Sequence, residues 1–246
     1  LDVHARGVMI GADVDLDAVA RITAGFSGAD LENVINQAAL LAARREKSAV
    51  GMIEFDEAIE RVVAGSERRT LVLNEKEKRT VAVHESGHAL IASLLPGSDP
   101  VHKVSIVPRG RALGYTMQRP IEDRYLLSEG ELQARLAGLL GGRVAEALVF
   151  GEVSTGAADD LSRATDLARR MVAEYGMSPK LGPVRLASNP QTVYLGQSQG
   201  LDARVSPETA NQVDAETKNI VEDAAARAWE LLDAYRPALD LSLIHI

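Results

Sequence analysis

Two histidines stand four residues apart in the apolar run TVAVHESGHALIASLLPG: His84 and His88, with Glu85 between them. On a helix, positions four apart lie one above the other, so both imidazoles can turn a ring nitrogen toward a single ion. The same face continues through Val81, Ile91 and Leu95. It is therefore the seam that faces the core, where an imidazole needs a partner. A lone histidine there reads as a core residue bonded to backbone carbonyls; two at ligand spacing on a helix point to a metal. Glu85 lies about 100° round the helix from His84, beside the pair and able to reach a water without becoming a ligand. Zinc lowers the pKa of a water from about 15.7 toward about 7, so a neighbouring carboxylate can take its proton. The chemistry expected of such a trio is amide hydrolysis, with Glu85 as general base.

A catalytic zinc takes three protein ligands and keeps one position open, so a third ligand must come from elsewhere. His102, Glu146, Asp159 and Asp160 are the candidates. Helical periodicity separates the two aspartates. Counting four, seven, eight and eleven residues on from Asp160 gives Ala164, Leu167, Ala168 and Met171, a buried stripe. From Asp159 the corresponding steps reach Arg163, Asp166 and Arg170, a solvated charged face. A carboxylate on a core-facing stripe costs several kcal/mol unless it is paired, and a metal ion is a sufficient partner. A first-turn acid favoured by the helix dipole would explain either aspartate, but not the apolar company that Asp160 keeps.

The rest of the composition narrows the field. At 246 residues with 46% hydrophobic content, the chain can bury a sizeable core and suits two modest domains. A net charge of -8 argues against nucleic acid or anionic lipid as a partner. With no cysteine, thiolate ligation and disulfides are excluded, so any zinc must be held by histidine and carboxylate. The longest apolar runs, such as ALIASLL, are far shorter than the roughly 18 residues a membrane span requires. No charged-then-apolar leader opens the chain, so it is expected to be neither inserted nor exported.

Helical patterns must position these residues. In GFSGADLENVINQAALLAARR, Ser27 is the expected N-cap with Asp30 three residues on, followed by a stripe at Leu31, Val34, Ile35, Ala38, Leu41 and Ala42. A second helix spans about Ile53 to Val63, and a domain boundary is expected near Leu71 to Asn74. Asn74 then caps the histidine helix, with Glu77 at the reciprocal position, and Pro96-Gly97 ends it. PVHKVSIVPRGRALGYTMQRP alternates like two short strands joined by a turn, with an edge that could pair with extended polypeptide. Helices return at SEGELQARLAGLLGGRVAEALVFG and STGAADDLSRATDLARRMVAEYG. VRLAS and TVYLG form a possible hairpin before a final helix from about Pro207 to Ala234.

Taken together, VHESGHAL, PVHKVSIVPRGRALGYT, LLGGRVAEALVFG, VSTGAADDLSRATDLARRMVAEYGMSPKLGPV and GFSGADLENVINQAALLAARR resemble the FtsH family of AAA+ zinc metalloproteases, over about residues 1 to 235. The resemblance implies a mainly α fold: a helical lid of an AAA+ ATPase module at 1–72, then a mostly helical zinc-peptidase domain with a small β-sheet at 73–240. Residues 241–246 are left as a tail, with His245 unstructured. It implies His84, His88 and Asp160 as zinc ligands and Glu85 as catalytic base. Gly28 and Ala29 of GFSGAD resemble residues lying against adenine and ribose. The implied parent is a membrane-anchored, ATP-driven homo-hexamer at the cytoplasmic side of the cell membrane, degrading unfolded or damaged polypeptides. No G-x-x-x-x-G-K-[ST] loop occurs in the chain, so phosphate binding by ATP is expected only in a longer parent.

The pattern departs from the family after GGRVA, where Glu146 is followed by Ala147, and at Asp159, where an asparagine is expected. Two readings from other classes compete. A zinc closed by a fourth protein ligand, with His102 as the spare internal histidine, would be structural and serve an oligomerisation scaffold. A chain without metal would be a lid and docking module whose histidines are core residues.

Overall fold

The computed structural model describes residues 1–68, 73–110, 112–118, 126–188, 201 and 205–245. The described residues are mainly helical and divide into two compact units, Leu1–Lys78 with Asp99–Tyr125 and Arg79–Ser98 with Leu126–Ile246.

The first unit holds α1 (Asp2–Ala5), α2 (Leu16–Ile22), α3 (Gly28–Arg44) and α4 (Met52–Ala64). Its core is Val19 from α2, the α3 stripe of Val34, Ile35, Ala38, Leu41 and Ala42, and Phe55, Ala58 and Ile59 from α4. Ser27 and Asp30 form the expected reciprocal cap, each bonding the other's backbone amide. α4 is seated by a buried charge. Glu54 accepts hydrogen bonds from Arg45 (2.7 Å), Lys47 (2.9 Å) and the Gly51 amide (3.1 Å). Burial pushes its carboxyl up, but these bonds outweigh that and hold its pKa at about 2.

The same unit contains an antiparallel hairpin, β1 (Val101–Ser105) and β2 (Tyr115–Gln118), with Ser105 opposite Tyr115 and a bulge between Val101 and Lys103. Glu60, buried on α4, fastens it by accepting from Lys103 (2.5 Å), Arg109 (3.2 Å) and the Tyr115 hydroxyl (3.1 Å). Beside it Gly65 and Gly110, both at positive φ, pass so closely that a Cβ on Gly65 would lie 3.2 Å from the Gly110 Cα.

The second unit is built on α5, which runs Glu75–Leu94 and enters the unit at Arg79, with α6 (Glu129–Phe150), α7 (Ala158–Ala173), α8 (Pro207–Ala234) and α9 (Arg236–His245). Asn74 caps α5 through the Glu77 amide at 2.8 Å, and Glu77 returns the bond. Val83 and Ile91 of α5 share one core with Leu136 and Leu140 of α6, Ala164, Ala168 and Met171 of α7, and Ala228 and Leu232 of α8. α5 and α6 approach through glycine: a Cβ on Gly87 would lie 2.4 Å from the Gly141 carbonyl oxygen and 2.6 Å from the Ala145 Cβ. α8 has the expected limits, with Ser206 as its cap. The chain end differs from expectation. Residues 236–245 form α9, with Leu239 fully buried in the core, so the backbone at His245 is helical rather than unstructured. TVYLG lies outside the described residues; of the other half of that expected hairpin, Ala187 forms an isolated antiparallel bridge with Leu201. No helix among the described residues is long and apolar enough to cross a membrane.

Because the Glu54 carboxyl is held below its ordinary value near 4.5, its contribution to stability is complete above that value and is lost as the pH falls toward about 2. Chemical unfolding of Glu54→Gln should show a loss of about 1–3 kcal/mol at pH 7, discounted for the half-exposed Arg45 and Lys47, that shrinks progressively below pH 4.5. A constant difference down to pH 2 would contradict this assignment.

Candidate metal centre

Two helices of the second unit bring the three sequence-predicted ligands together. His84 and His88 project from α5 and Asp160 from the first turn of α7, and their donor atoms all lie within 4.8 Å of one another. His84 Nε2 is 3.0 Å from His88 Nε2. Asp160 Oδ2 is 3.2 Å from the first and 3.4 Å from the second.

The opposite ring nitrogens are already engaged. His84 Nδ1 is 2.7 Å from Glu146 Oε1, and His88 Nδ1 is 2.8 Å from the Gly138 carbonyl oxygen. A carbonyl cannot donate and an ionised carboxylate cannot either, so each Nδ1 carries the hydrogen. Wherever Nε2 carries no proton, the ring presents its bare lone pair to the other and to Asp160. Three acceptors within 3.4 Å of one another repel unless a proton or a cation lies among them. Zinc–nitrogen and zinc–oxygen bonds of 2.0–2.2 Å at tetrahedral angles place ligand atoms about 3.3 Å apart, and the observed spacing fits.

The electrostatics agree with this arrangement. Burial by itself would lower the His84 pKa, but Asp160 and Glu146 raise it to about 9. Burial would raise the Asp160 carboxyl, yet the two imidazoles hold it well below the usual carboxylate range. Glu146 is likewise lowered, against its burial, by His84 and the Ser154 amide. The site favours negative oxygen and positive charge on or between the imidazoles.

α6 supports the histidine helix through residues spaced every fourth position. Gly138 gives its carbonyl to His88. Gly142 leaves room for the His84 ring, since a Cβ there would lie 2.6 Å from three of its atoms. Glu146 holds His84 Nδ1 and is itself held by the Ser154 amide at 2.6 Å. Glu146, weighed from sequence as a ligand, thus stands behind His84 on the ring nitrogen remote from Asp160. That supporting role was missed; the available signal was Gly138, Gly142 and Glu146 at i, i+4 and i+8 on one helix face. Of the two aspartates, Asp160 has an 18% exposed side chain, while Asp159 is 85% exposed and faces Arg163 across 4.0 Å. Glu85 is buried beside His84. His102 lies exposed on β1 in the first unit, and Gly28 and Ala29 lie exposed in the first turn of α3 in that unit.

Two histidines one helical turn apart, joined by a carboxylate from another helix and flanked by a buried glutamate, define the H-E-x-x-H class of metallohydrolases. The chain belongs to Peptidase family M41, whose model matches residues 71–244, and residues 13–57 match the AAA+ lid domain. It is 52% identical over 241 residues to the ATP-dependent zinc metalloprotease FtsH of Pseudothermotoga lettingae, covering 98% of this chain and 38% of that protein. It is 51% identical over 232 residues to FtsH 1 of a Thermoanaerobacter species, covering 94% and 38%. With FtsH of Thermotoga maritima the identity is 47% over 241 residues, covering 98% and 40%. The chain therefore spans about two fifths of the length of these curated relatives.

Asp160→Asn should strip zinc from the purified chain during dialysis against a mild chelator, weakening retention by more than the 10- to 100-fold typical of changes to residues behind the ligands. Asp159→Asn should retain it, because its side chain faces water. Equal retention in two variants of unchanged helicity would remove Asp160 from the site.

Proposed function

We propose that this chain is the zinc-dependent endopeptidase part, with the adjoining ATPase lid, of an ATP-dependent protein quality-control protease. The observation that carries the proposal is the convergence of the His84 and His88 Nε2 atoms on Asp160 Oδ2, with both Nδ1 atoms bonded elsewhere. Three protein donors leave a position for substrate, which favours a catalytic site over a structural one.

When bound, zinc supplies a Lewis acid that polarises a peptide carbonyl and acidifies a water. His84, His88 and Asp160 would hold it. Glu146 and the Gly138 carbonyl keep the two rings in the tautomer that leaves Nε2 free. Glu85, buried one residue from His84, accepts the proton of the attacking water at its carboxylate and returns it to the leaving amine. Packing of α5 against α6 through Gly87 and Gly141 fixes the ring positions before substrate arrives.

Residues 1–72 are proposed as the lid and 73–240 as the peptidase domain. Gly28 and Ala29 in the exposed first turn of α3 would lie against the adenine and ribose of ATP in the longer parent. Similarity to the lid domain and to ATP-dependent proteases supports this reading. The parent is proposed to assemble as a homo-hexamer, anchored to the cytoplasmic side of the cell membrane by a segment beyond this chain. It would act on unfolded or damaged polypeptides and not on nucleic acid.

Glu85→Gln tests the mechanism. The amide keeps the shape of the side chain but cannot take a proton, so zinc content should be unchanged while casein hydrolysis falls about 100- to 10,000-fold. Activity within a few-fold of the parent chain would rule Glu85 out as the base.

A further inference from the structure

Asp160 reaches the metal centre from the first turn of α7, and α7 does not cap itself there. Ala157 stands at its N-cap position, where it has no side-chain oxygen to accept from the free amides. The fully buried part of the α7 stripe begins only at Ala164. The connection from α6 offers little packing either, since residues 151–156 are exposed and Ala157 alone in that stretch is buried. The position of Asp160 therefore leans on hydrogen bonds in the turn before it.

Those bonds meet at Ser154. Its hydroxyl oxygen caps the 3₁₀ turn Thr155–Ala157 by accepting from the Gly156 amide at 3.2 Å, and the Ala158 amide that opens α7 donates to the Thr155 carbonyl. In the other direction the Ser154 amide donates to Glu146 Oε2 at 2.6 Å, while Oε1 of the same carboxylate lies 2.7 Å from His84 Nδ1. The contacts close into a ring. From His84 they pass through Glu146 and Ser154 into the turn, along the start of α7 to Asp160, and back across 3.2 Å to His84 Nε2.

We propose that Ser154 is a positioning residue of the metal centre: its amide holds Glu146, its hydroxyl caps the turn that delivers Asp160, and together they fix the separation of Asp160 from His84. Ser154 is not a ligand and acts through Glu146 and Asp160. The inference rests on the metal reading of the site. Its content beyond that reading is that one exposed hydroxyl outside the ligand set tunes how well the set closes on an ion.

Ser154→Ala keeps the amide bond to Glu146 and removes the hydroxyl cap. Zinc affinity of the whole chain, measured by competition with a chelator, should fall about tenfold, the lower end of the range for residues behind metal ligands. Cobalt(II) in place of zinc gives a second readout, because tetrahedral cobalt absorbs visible light far more strongly than octahedral cobalt; its band should weaken as Asp160 withdraws. Ser154→Thr, whose hydroxyl can cap the same turn, should restore both affinity and band. Thr155→Ala removes a neighbouring exposed hydroxyl and leaves its carbonyl in place, so it should change neither. Unchanged affinity and spectrum in Ser154→Ala, no recovery in Ser154→Thr, or an equal loss in Thr155→Ala would overturn the proposal. So would a lower melting temperature of metal-free Ser154→Ala with metal binding intact, which is the mark of a purely structural cap. A parent chain that binds neither zinc nor cobalt would overturn the metal reading itself, and this inference with it.

Discussion

The centre of the molecule depends on one electrostatic constraint. Two imidazole nitrogens and a carboxylate oxygen, all acceptors, are held 3.0 to 3.4 Å apart. The repulsion is relieved only by a proton on an imidazole, which the raised His84 pKa favours, or by a cation among the three. The groups that enforce it lie behind the rings: the Glu146 carboxylate and the Gly138 carbonyl occupy the other nitrogens and fix which side of each histidine is bare. A cation is the natural occupant, because it turns three mutually repelling acceptors into a ligand set.

Holding such a trio requires stiff surroundings, and the second unit supplies them by close helix contact. Gly87 and Gly141 let the α5 and α6 backbones meet at a distance that any larger residue would prevent. The consequence is a shared core of Ile91, Leu136, Leu140 and Met171, all fully or nearly fully buried, directly beneath the histidine helix. Asp160 joins from α7 because its own stripe, Ala164, Ala168 and Met171, is sunk in that core. The buried polar chain from the Ser154 amide through Glu146 to His84 is satisfied at each step, so it contributes orientation without leaving an unpaired group.

Much of this was legible in the sequence, and the parts that were share a physical character. Helix caps are local: Ser27 with Asp30 and Asn74 with Glu77 are read from residues three apart, and the limits of α8 follow from Ser206, Pro207 and the periodic stripe. Asp160 was separable from Asp159 because burial along one helix is periodic. What was not legible depends on how elements meet. The place of Glu146 behind His84 rests on the α5–α6 crossing, and the Gly138 carbonyl is a backbone group that no side-chain pattern reveals. Glu60 gives no local sign that it will gather Lys103, Arg109 and Tyr115 from more than forty residues away. The helical end of the chain was missed because LSLIHI alone shows no periodicity that distinguishes a packed helix from a tail, whereas Leu239 just before it is anchored in the core.

The central claim is that His84, His88 and Asp160 form one metal site through the two Nε2 atoms and a carboxylate oxygen. Zinc-edge X-ray absorption on the metal-loaded chain tests it most directly. The account predicts one zinc per chain, with two imidazole nitrogens and oxygen donors at about 2.0–2.2 Å in the first shell. A first shell with no imidazole or only one, or a chain that fails to retain zinc at all, would contradict it.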